Sequence, residues 1–512
     1  MTTLEARAPR PSGAARVSWR GPRLGATTAT AVALGAAGAA LSLIGSWIPS
    51  LWGDEVTSVM SAQRSLPSLF RMLGNVDAVH GSYYLFLHFW VIAFGTSPFS
   101  VRFPSAIAVG IMVAGVVVLA TRLSGRRTGI LAGIVAVLLP RVTYMGEEAR
   151  AYAMSAACVV WLTILLVSIV RSPHPSRRRW ILYAAGLAAC AYVFLFSLLI
   201  VAAHAVVILT GERRQLRRPW LRSVAGAVLL ASPVIAYGIG ESGQIAFLAS
   251  RDDANPHAAF VSQWFGNDQF AILAWGCVIA AVAVAATGWW RRRRDTSFAR
   301  PAEGPHLVPL AAVWSLGSMA ILLGANAIHP MYSARYLSFA VPATALLIGW
   351  LLARIRPAWI AAVLLAALIG TAGISYVAER TPYAKNGSDW AQVAATIGAH
   401  ARPGDGILFD GSTRVSRAPR LAMHGYPAPF AGLIDIALRS PWYDTLSWRD
   451  SVYPLAQVTG RLASVHTVWL VDYRAPGTSS GAWGLATLAR EGFRVQHRYE
   501  QHASVVIELT RG

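Results

Sequence analysis

From Leu24 to about residue 378 the chain alternates long apolar runs with short polar breaks that carry arginine. A helix rises 1.5 Å per residue, so runs near 20 residues match a hydrocarbon core of roughly 30 Å. Such runs fall at about 24–50, 103–121, 128–144, 149–170, 180–194, 195–210, 221–240, 269–290, 307–325, 336–353 and 358–377, which predicts about eleven transmembrane helices. The pair 180–194 and 195–210 is short for two crossings. The run that begins at Leu24 is too long for the core of a cleaved leader, so it predicts a retained anchor behind a basic tail, residues 1–23.

The segment "SYYLFLHFWVIAFG" (82–95) decides the topology. Its 14 residues reach about 21 Å, short of a full crossing. If it spanned, every later loop would change sides. If it lies along the interface, the first outer loop runs from about 51 to 102 and the charges sort cleanly. Inner loops then hold 24 arginines, and outer loops before residue 378 hold seven. Cytoplasmic loops carry the basic excess. The pattern therefore predicts an interfacial helix at 82–95, a cytoplasmic N-terminus and an extracytoplasmic C-terminus in the plasma membrane.

Beyond residue 378 the pattern changes to that of a water-facing domain, 379–512. "SDWAQVAATIGAHARPGDGILFD" predicts an amphipathic helix capped by Ser388 or Asp389, a Pro-Gly-Asp turn and a short strand. "VHTVWLVDY" and "ASVVIEL" predict further strands, and "GAWGLATLAREG" a helix ending near Gly492. The fold class expected is a polytopic α-helical membrane protein with a C-terminal α/β extracytoplasmic domain.

Composition agrees. The 512 residues are 55% hydrophobic and 13% charged, with mean hydropathy +0.47; soluble domains carry roughly 25% charged residues. The net charge of +21 is explained by the loop arginines and does not call for nucleic acid. Of 45 basic residues only Lys385 is a lysine, a bias of GC-rich genomes. Cys158, Cys190 and Cys277 lie in apolar stretches without metal-ligand spacing and read as small buried hydrophobes.

With this topology, charged residues converge at one membrane face: Asp54 and Glu55; Asp77, His80 and His88; Glu147, Glu148 and Arg150; Arg251, Asp252 and Asp253; His329 and Arg335. Acids at a membrane lip are costly unless used. Carboxylates serve as general bases, and arginines grip phosphate oxygens in pairs. Blander readings stand beside these. Acids at 54–55 and 147–148 also suit helix starts, Arg335 suits an interfacial anchor, and 77–80 an ordinary turn. Arg251, Asp252 and Asp253 suit a solvated loop, and Trp47, Trp52, Tyr83, Tyr84 and Trp90 an interfacial aromatic belt.

In order along the chain, "WGDE", "DAVHGSYYLFLHFW", "SVRFPSAIAVG", "GEEARAYAM" and "HPMYSARYLSFAVPA" resemble the motifs of the GT-C superfamily of membrane glycosyltransferases. The likeness is to family-39-like members, the protein O-mannosyltransferases and aminoarabinose transferases, and extends over about residues 24–380. It implies that Asp54 is the general base for an acceptor hydroxyl and that Glu55 orients acceptor or base. It implies that Arg335, with Arg150, binds the phosphate of a polyprenyl-phosphate sugar donor. Asp77, His80, Tyr83, Glu147, Glu148, Tyr152, His329 and Tyr336 are the further active-site candidates. Gly81-Ser82 stand where the family carries two prolines. No Asp-x-Asp motif stands in the first loop, so no metal or other cofactor is implied, nor is a divalent metal excluded.

The reading is an inverting glycosyltransferase that moves a sugar to a lipid, glycan or protein acceptor on the outer face. Family and arginine-rich, actinobacterial-type composition both point to mannose and to work on the cell envelope. The alternatives are a lipid-linked-sugar flippase, which calls for charge at mid-span and paired broken helices, and a non-catalytic scaffold of envelope assembly.

Overall fold

The computed structural model describes residues 24–250, 254–294, 306–474 and 483–512. Arg251, Asp252 and Asp253 therefore lie outside the described residues. The chain opens with α1 (Leu24–Leu43), α2 (Gly53–Gln63), α3 (Leu66–Leu73), α4 (Gly81–Phe94) and α5 (Pro98–Ser124). It continues through α6 (Arg126–Leu138), α7 (Pro140–Gly146), α8 (Tyr152–Arg171), α9 (Arg177–Val193), α10 (Ile200–Leu209) and α11 (Arg217–Gly240). Then follow α12 (Asp268–Arg294), α13 (Leu307–Ala312), α14 (Ser318–Ile328), α15 (Val341–Leu352) and α16 (Ala358–Ala378).

Among the described residues eight helices are long and apolar enough to cross a membrane. A ninth is the pair α6–α7, bent by 62°, where Pro140 removes a helical donor and crowds the preceding turn. The remaining two of the eleven expected spans are α9, of 17 residues, and α10 with the 3-10 turn before it, 15 residues from Leu195. These are the two for which the sequence supplies too few apolar residues. The segment 78–94 is likewise a short apolar helix. α13 and α14 run on through a π-helical turn, Val313–Gly317.

Small residues allow close packing without a hydrophobic driving force between helices. At the α1–α5 crossing a Cβ on Gly35 would stand 2.7 Å from the Gly110 carbonyl oxygen, and one on Gly110 2.8 Å from that of Gly35.

The C-terminal region starts with α17 (Trp390–His400), and α18 (Leu421–Gly425) follows β1 (Gly406–Phe409). β2 (Ile434–Asp435), the small hairpin β3 (Leu438–Ser440) and β4 (Ser451–Val452), then β5 (Thr467–Tyr473), β6 (Phe493–Glu500) and β7 (Ser504–Arg511) complete it. The main sheet has the order β2-β1-β5-β7-β6, parallel across its first three strands and antiparallel across the rest. Alternation along the strands splits its faces. Leu408, Val468, Leu470, Ile507 and Leu509 pack on one side. Ile407, Phe409, Trp469, Val471 and Val506 pack on the other, in a core that also holds Leu51, Val56, Leu69 and Tyr84. The helix expected through 481–492, whose first two residues lie outside the described residues, is a short one, Leu485–Arg490, ended at Gly492 with φ +87°.

The expected cap of α17 is rearranged. Asp389 stands at the N-cap position but makes no capping bond; its carboxylate accepts from Ala503 N at 2.7 Å and Ser504 Oγ at 2.9 Å. Ser388 Oγ donates to the Leu51 carbonyl at 2.7 Å. An orphan donor of the first turn, Ala391 N, is accepted by Ser50 Oγ at 3.1 Å instead. Gly53 is required where α2 meets this region: a Cβ there would stand 2.4 Å from the Ser416 carbonyl oxygen.

Candidate active site

α2 follows the turn after α1 and carries Asp54 and Glu55 in its first turn. One residue of helix separates them by about 100°, so they face different surroundings. Glu55 is fully buried against Arg102 of α5: Arg102 Nε donates to Oε1 at 2.8 Å and Nη2 to Oε2 at 2.6 Å. Ala149 N donates to the same Oε1 at 2.9 Å, and Arg102 also donates to the carbonyls of Ser46, Pro49 and Ser50. This satisfied, fully buried pair ties the turn after α1 to α5 and to the 147–151 loop.

Asp54 points elsewhere. Its Oδ2 lies 2.6 Å from Arg335 Nη1, and both side chains keep 21% exposure. Arg335 stands in the 3-10 turn before α15, its guanidinium 5.1 Å from the Trp52 ring centroid. Arg150 completes a second cationic arm. Its Nη1 donates to Ser58 Oγ at 3.3 Å and to the Asp54 carbonyl at 3.5 Å. Its Nη2 lies 3.0 Å from His80 Nε2. A guanidinium only donates, so His80 must accept at Nε2 and carry its proton on Nδ1. Electrostatics agree: burial, then Arg150, push the imidazole well below its ordinary value, so it is neutral.

For Asp54, burial raises the carboxyl, but the charges of Arg335 and Arg150 and the bond from Arg335 outweigh it and hold the group below the usual range. Asp77 goes the other way: burial lifts it, against the pull of Arg150 and the bond from Tyr84 OH at 3.0 Å. Asp77 takes the left-handed conformation, φ +58°. Its N–H donates to Gln244 Oε1 at 3.3 Å, and Ala78 N to Glu241 Oε2 at 3.0 Å. The loop after α11 thus clamps the turn that carries His80.

Glu147 and Glu148 separate as the first pair does. Glu147 is fully buried, with Lys385 Nζ 3.0 Å from Oε1 and Arg380 Nη1 3.4 Å from Oε2. Glu148 is 1% exposed, and neither carboxylate oxygen has a hydrogen-bond partner among the described residues. Burial lifts its carboxyl, opposed by Lys385, Arg335 and Arg150, so it feels the field of the two arginines that also act on Asp54. The Tyr152 hydroxyl is also buried and without a partner among the described residues, and that of Tyr83 is buried near Ser105. Tyr336 stacks on Phe196 at 5.2 Å.

The structure therefore brings Asp54, Arg335, Arg150, His80, Asp77 and Glu148 together, with Tyr83, Tyr152 and Tyr336 around them. It does not bring in His329, which is exposed at the end of α14, or His88, whose Nδ1 bonds the Ala62 carbonyl at 2.8 Å. Of the expected aromatic belt, Trp47 is exposed and Trp90 half-buried, but Trp52, Tyr83 and Tyr84 are buried. Arg102, Tyr84, Ser58 and Lys385 were missed as functional partners. The one usable signal was Lys385, a single lysine among 45 basic residues. Among the described residues no three His, Cys, Asp or Glu side chains converge as metal ligands.

Residues 82–237 match the family model described as dolichyl-phosphate-mannose-protein mannosyltransferase. No curated protein sequence matches the chain. Among solved structures, it is similar to ArnT from Cupriavidus metallidurans bound to undecaprenyl phosphate. That match has TM-score 0.59 at 13% identity and covers 93% of this chain and 97% of that one. It is also similar to the Archaeoglobus fulgidus oligosaccharyltransferase AglB in complex with an inhibitory peptide and a dolichol-phosphate. There the TM-score is 0.51 at 10% identity, covering 94% and 74%. The resemblance read from the motifs thus holds: this is a multi-pass membrane protein with the fold of GT-C glycosyltransferases.

Proposed function

We propose that the chain is an inverting glycosyltransferase that takes its sugar, mannose by preference, from a polyprenyl-phosphate donor. It hands that sugar to a hydroxyl acceptor at the outer face of the plasma membrane. The observation that carries this reading is the Asp54–Arg335 ion pair at 2.6 Å, partly open, with Arg150 beside it. In a donor complex a phosphate would compete for Arg335, and each oxygen bonded to that guanidinium weakens its hold on Asp54. Loading the donor would therefore free the carboxylate that must take the acceptor's proton. The order is chemical: the base is released only when the electrophile is present.

Asp54 then deprotonates the hydroxyl as it attacks the anomeric carbon in line. The bond to the lipid phosphate breaks as the new glycosidic bond forms. The leaving group departs as an anion, so paired guanidiniums stabilise it without a proton donor. His80, neutral and accepting from Arg150, would hold that guanidinium in place. Glu148 offers two unpartnered oxygens for hydroxyls of sugar or acceptor. Support for the donor class comes from the lipid phosphates named in the complexes of the similar folds. Support for the orientation comes from the arginine asymmetry of the loops.

A flippase fits less well, because the charges gather at helix ends and loops rather than at mid-span. The deciding experiment is transfer of radiolabelled mannose from polyprenyl-phosphate-mannose in membranes that carry the chain, beside Asp54→Asn membranes. Label that enters a lipid or polymer product with the native chain alone supports the reading. Equal transfer by both would remove Asp54 as base.

A further inference from the structure

The C-terminal sheet reverses direction at β1: the chain passes to β2 on one side and returns to β5 on the other, all three parallel. In open α/β sheets, ligands bind in the crevice beyond the carboxyl ends of the strands at such a reversal. At that place lies a cleft of about 890 Å³, lined by Asp410, which follows β1, and reaching Met60 of α2. Asp410 N donates to the Val471 carbonyl at 2.9 Å, so its side chain stands beside the end of β5 as well. The volume suits a ligand of several rings.

The lining narrows the ligand class. Trp448 and Trp483 are half-buried in the walls. Among the described residues neither indole N–H has a partner. Thr413 Oγ1 is enclosed and has no partner among the described residues, and Asp410 holds Ser412 N and Oγ with one carboxylate oxygen, Oδ1. The lining carries two aspartates, Asp410 and Asp450, two arginines, Arg420 and Arg449, and His424, which lies 2.7 Å from Asp450, so with a neutral imidazole its formal charges balance. A phosphorylated ligand would call for surplus cations, and an extended peptide for a sheet edge rather than strand ends. Aromatic faces beside hydroxyls and balanced ionic groups suit a ring with C–H faces and hydroxyls that both donate and accept.

We propose that this cleft binds a neutral oligosaccharide, which is the acceptor chain on which Asp54 acts. The saccharide assignment stands on the cleft itself, and its role as acceptor rests on the transferase reading above. Met60 lies six residues along α2 from Asp54, about 9 Å of helix rise and about 120° around its axis, so one short helix borders both the cleft and the base.

The test is binding of the full-length protein in lipid nanodiscs to an immobilised panel of neutral oligosaccharides: mannans, galactans, arabinans and glucans of three to six units. No donor is added, so failure here is distinct from failure of transfer. We expect retention on at least one member, reduced about tenfold by Trp448→Ala, the scale of one aromatic contact. Arg449→Ala, on an exposed rim residue, should weaken the same member without disturbing the core. Retention on no neutral member overturns the proposal, as does retention indifferent to both variants or seen equally with empty nanodiscs. A response confined to charged glycans or to peptides added as controls overturns it too.

Discussion

Asp54 and Glu55 show how one helical step can divide two neighbouring acids between opposite tasks. Asp54 is partly open and bound to one guanidinium, whereas Glu55 is sealed in a bidentate pair with Arg102. Removing the charge of each should therefore fail differently. Asp54→Asn should lower transfer by about 10²–10⁴ while yield and thermal midpoint in detergent stay put. Glu55→Gln leaves the Arg102 charge buried and uncompensated, which costs about 3–5 kcal/mol, so it should lower the thermal midpoint first. A Glu55→Gln protein of native stability but no activity would restore the catalytic role implied by resemblance. The acid limb of the rate profile tests Asp54 further. Its carboxyl sits below the ordinary value near pH 3.9, so kcat/KM should hold through neutral pH and fall only in strong acid. The ion pair's stabilisation follows the same sign: it is present above the unfolded carboxyl's pKa and lost as pH falls through the depressed folded value. Arg335→Gln removes the largest depressing charge and leaves burial to raise the carboxyl, so the acid limb should move to higher pH. A limb that does not move means that another group titrates.

Elements meet through contacts that no local pattern encodes, and this sets what the sequence could tell. The apolar runs gave the helices, because bilayer thickness acts on each run by itself. Gly404 and Gly492 marked turns, because backbone φ is a local property, whereas the bend at Pro140 inside the expected span 128–144 went unread. The cap of α17 was not legible: Ser50 sits 341 positions before the Ala391 N–H it accepts from. Nor was the loop 147–151 that delivers Glu148 and Arg150. Its anchor is the linker after α16, where Lys385 and Arg380 both reach Glu147 and Glu379 Oε2 accepts from Thr143 Oγ1 at 2.8 Å. Burial, with Glu147 nearby, pushes the Glu379 carboxyl up to about 8, so at neutral pH Glu147 is the main counter-charge to Lys385 and Arg380. Lys385→Met should leave Glu147 with the longer of its two ion pairs, Arg380 at 3.4 Å, at a cost of about 3–5 kcal/mol. We expect a lower thermal midpoint and a transfer rate reduced at least in proportion, with Lys385→Arg recovering part of both. A Lys385→Met chain indistinguishable from native in both measurements would mean that Arg380 alone holds the loop.

At the scale of the whole molecule, the membrane helices and the C-terminal sheet share one core. Leu51, Val56, Leu69 and Tyr84 belong to the same buried cluster as Trp390, Val393, Phe409, Trp469 and Val506. Deleting residues 380–512 would bare the apolar side of α2, the helix that presents Asp54, and would also remove Lys385. Loss of activity on deletion is thus expected of an enzyme as much as of a scaffold, and only point changes within the intact chain tell them apart. The sequence divided the chain near residue 378 because composition changes there, yet composition is blind to how two regions pack. Topology is the remaining global property, and it is open to direct measurement. The arginine asymmetry puts the C-terminal region on the outer side, and the shared core then carries Asp54 to that same side. A C-terminal epitope tag should be digested by protease added to intact cells or spheroplasts, and a tag before Leu24 should survive until the membrane is opened. The reverse pattern would send both the site and its donor to the cytoplasmic leaflet, and an acceptor of the envelope would have to give way to one made inside the cell.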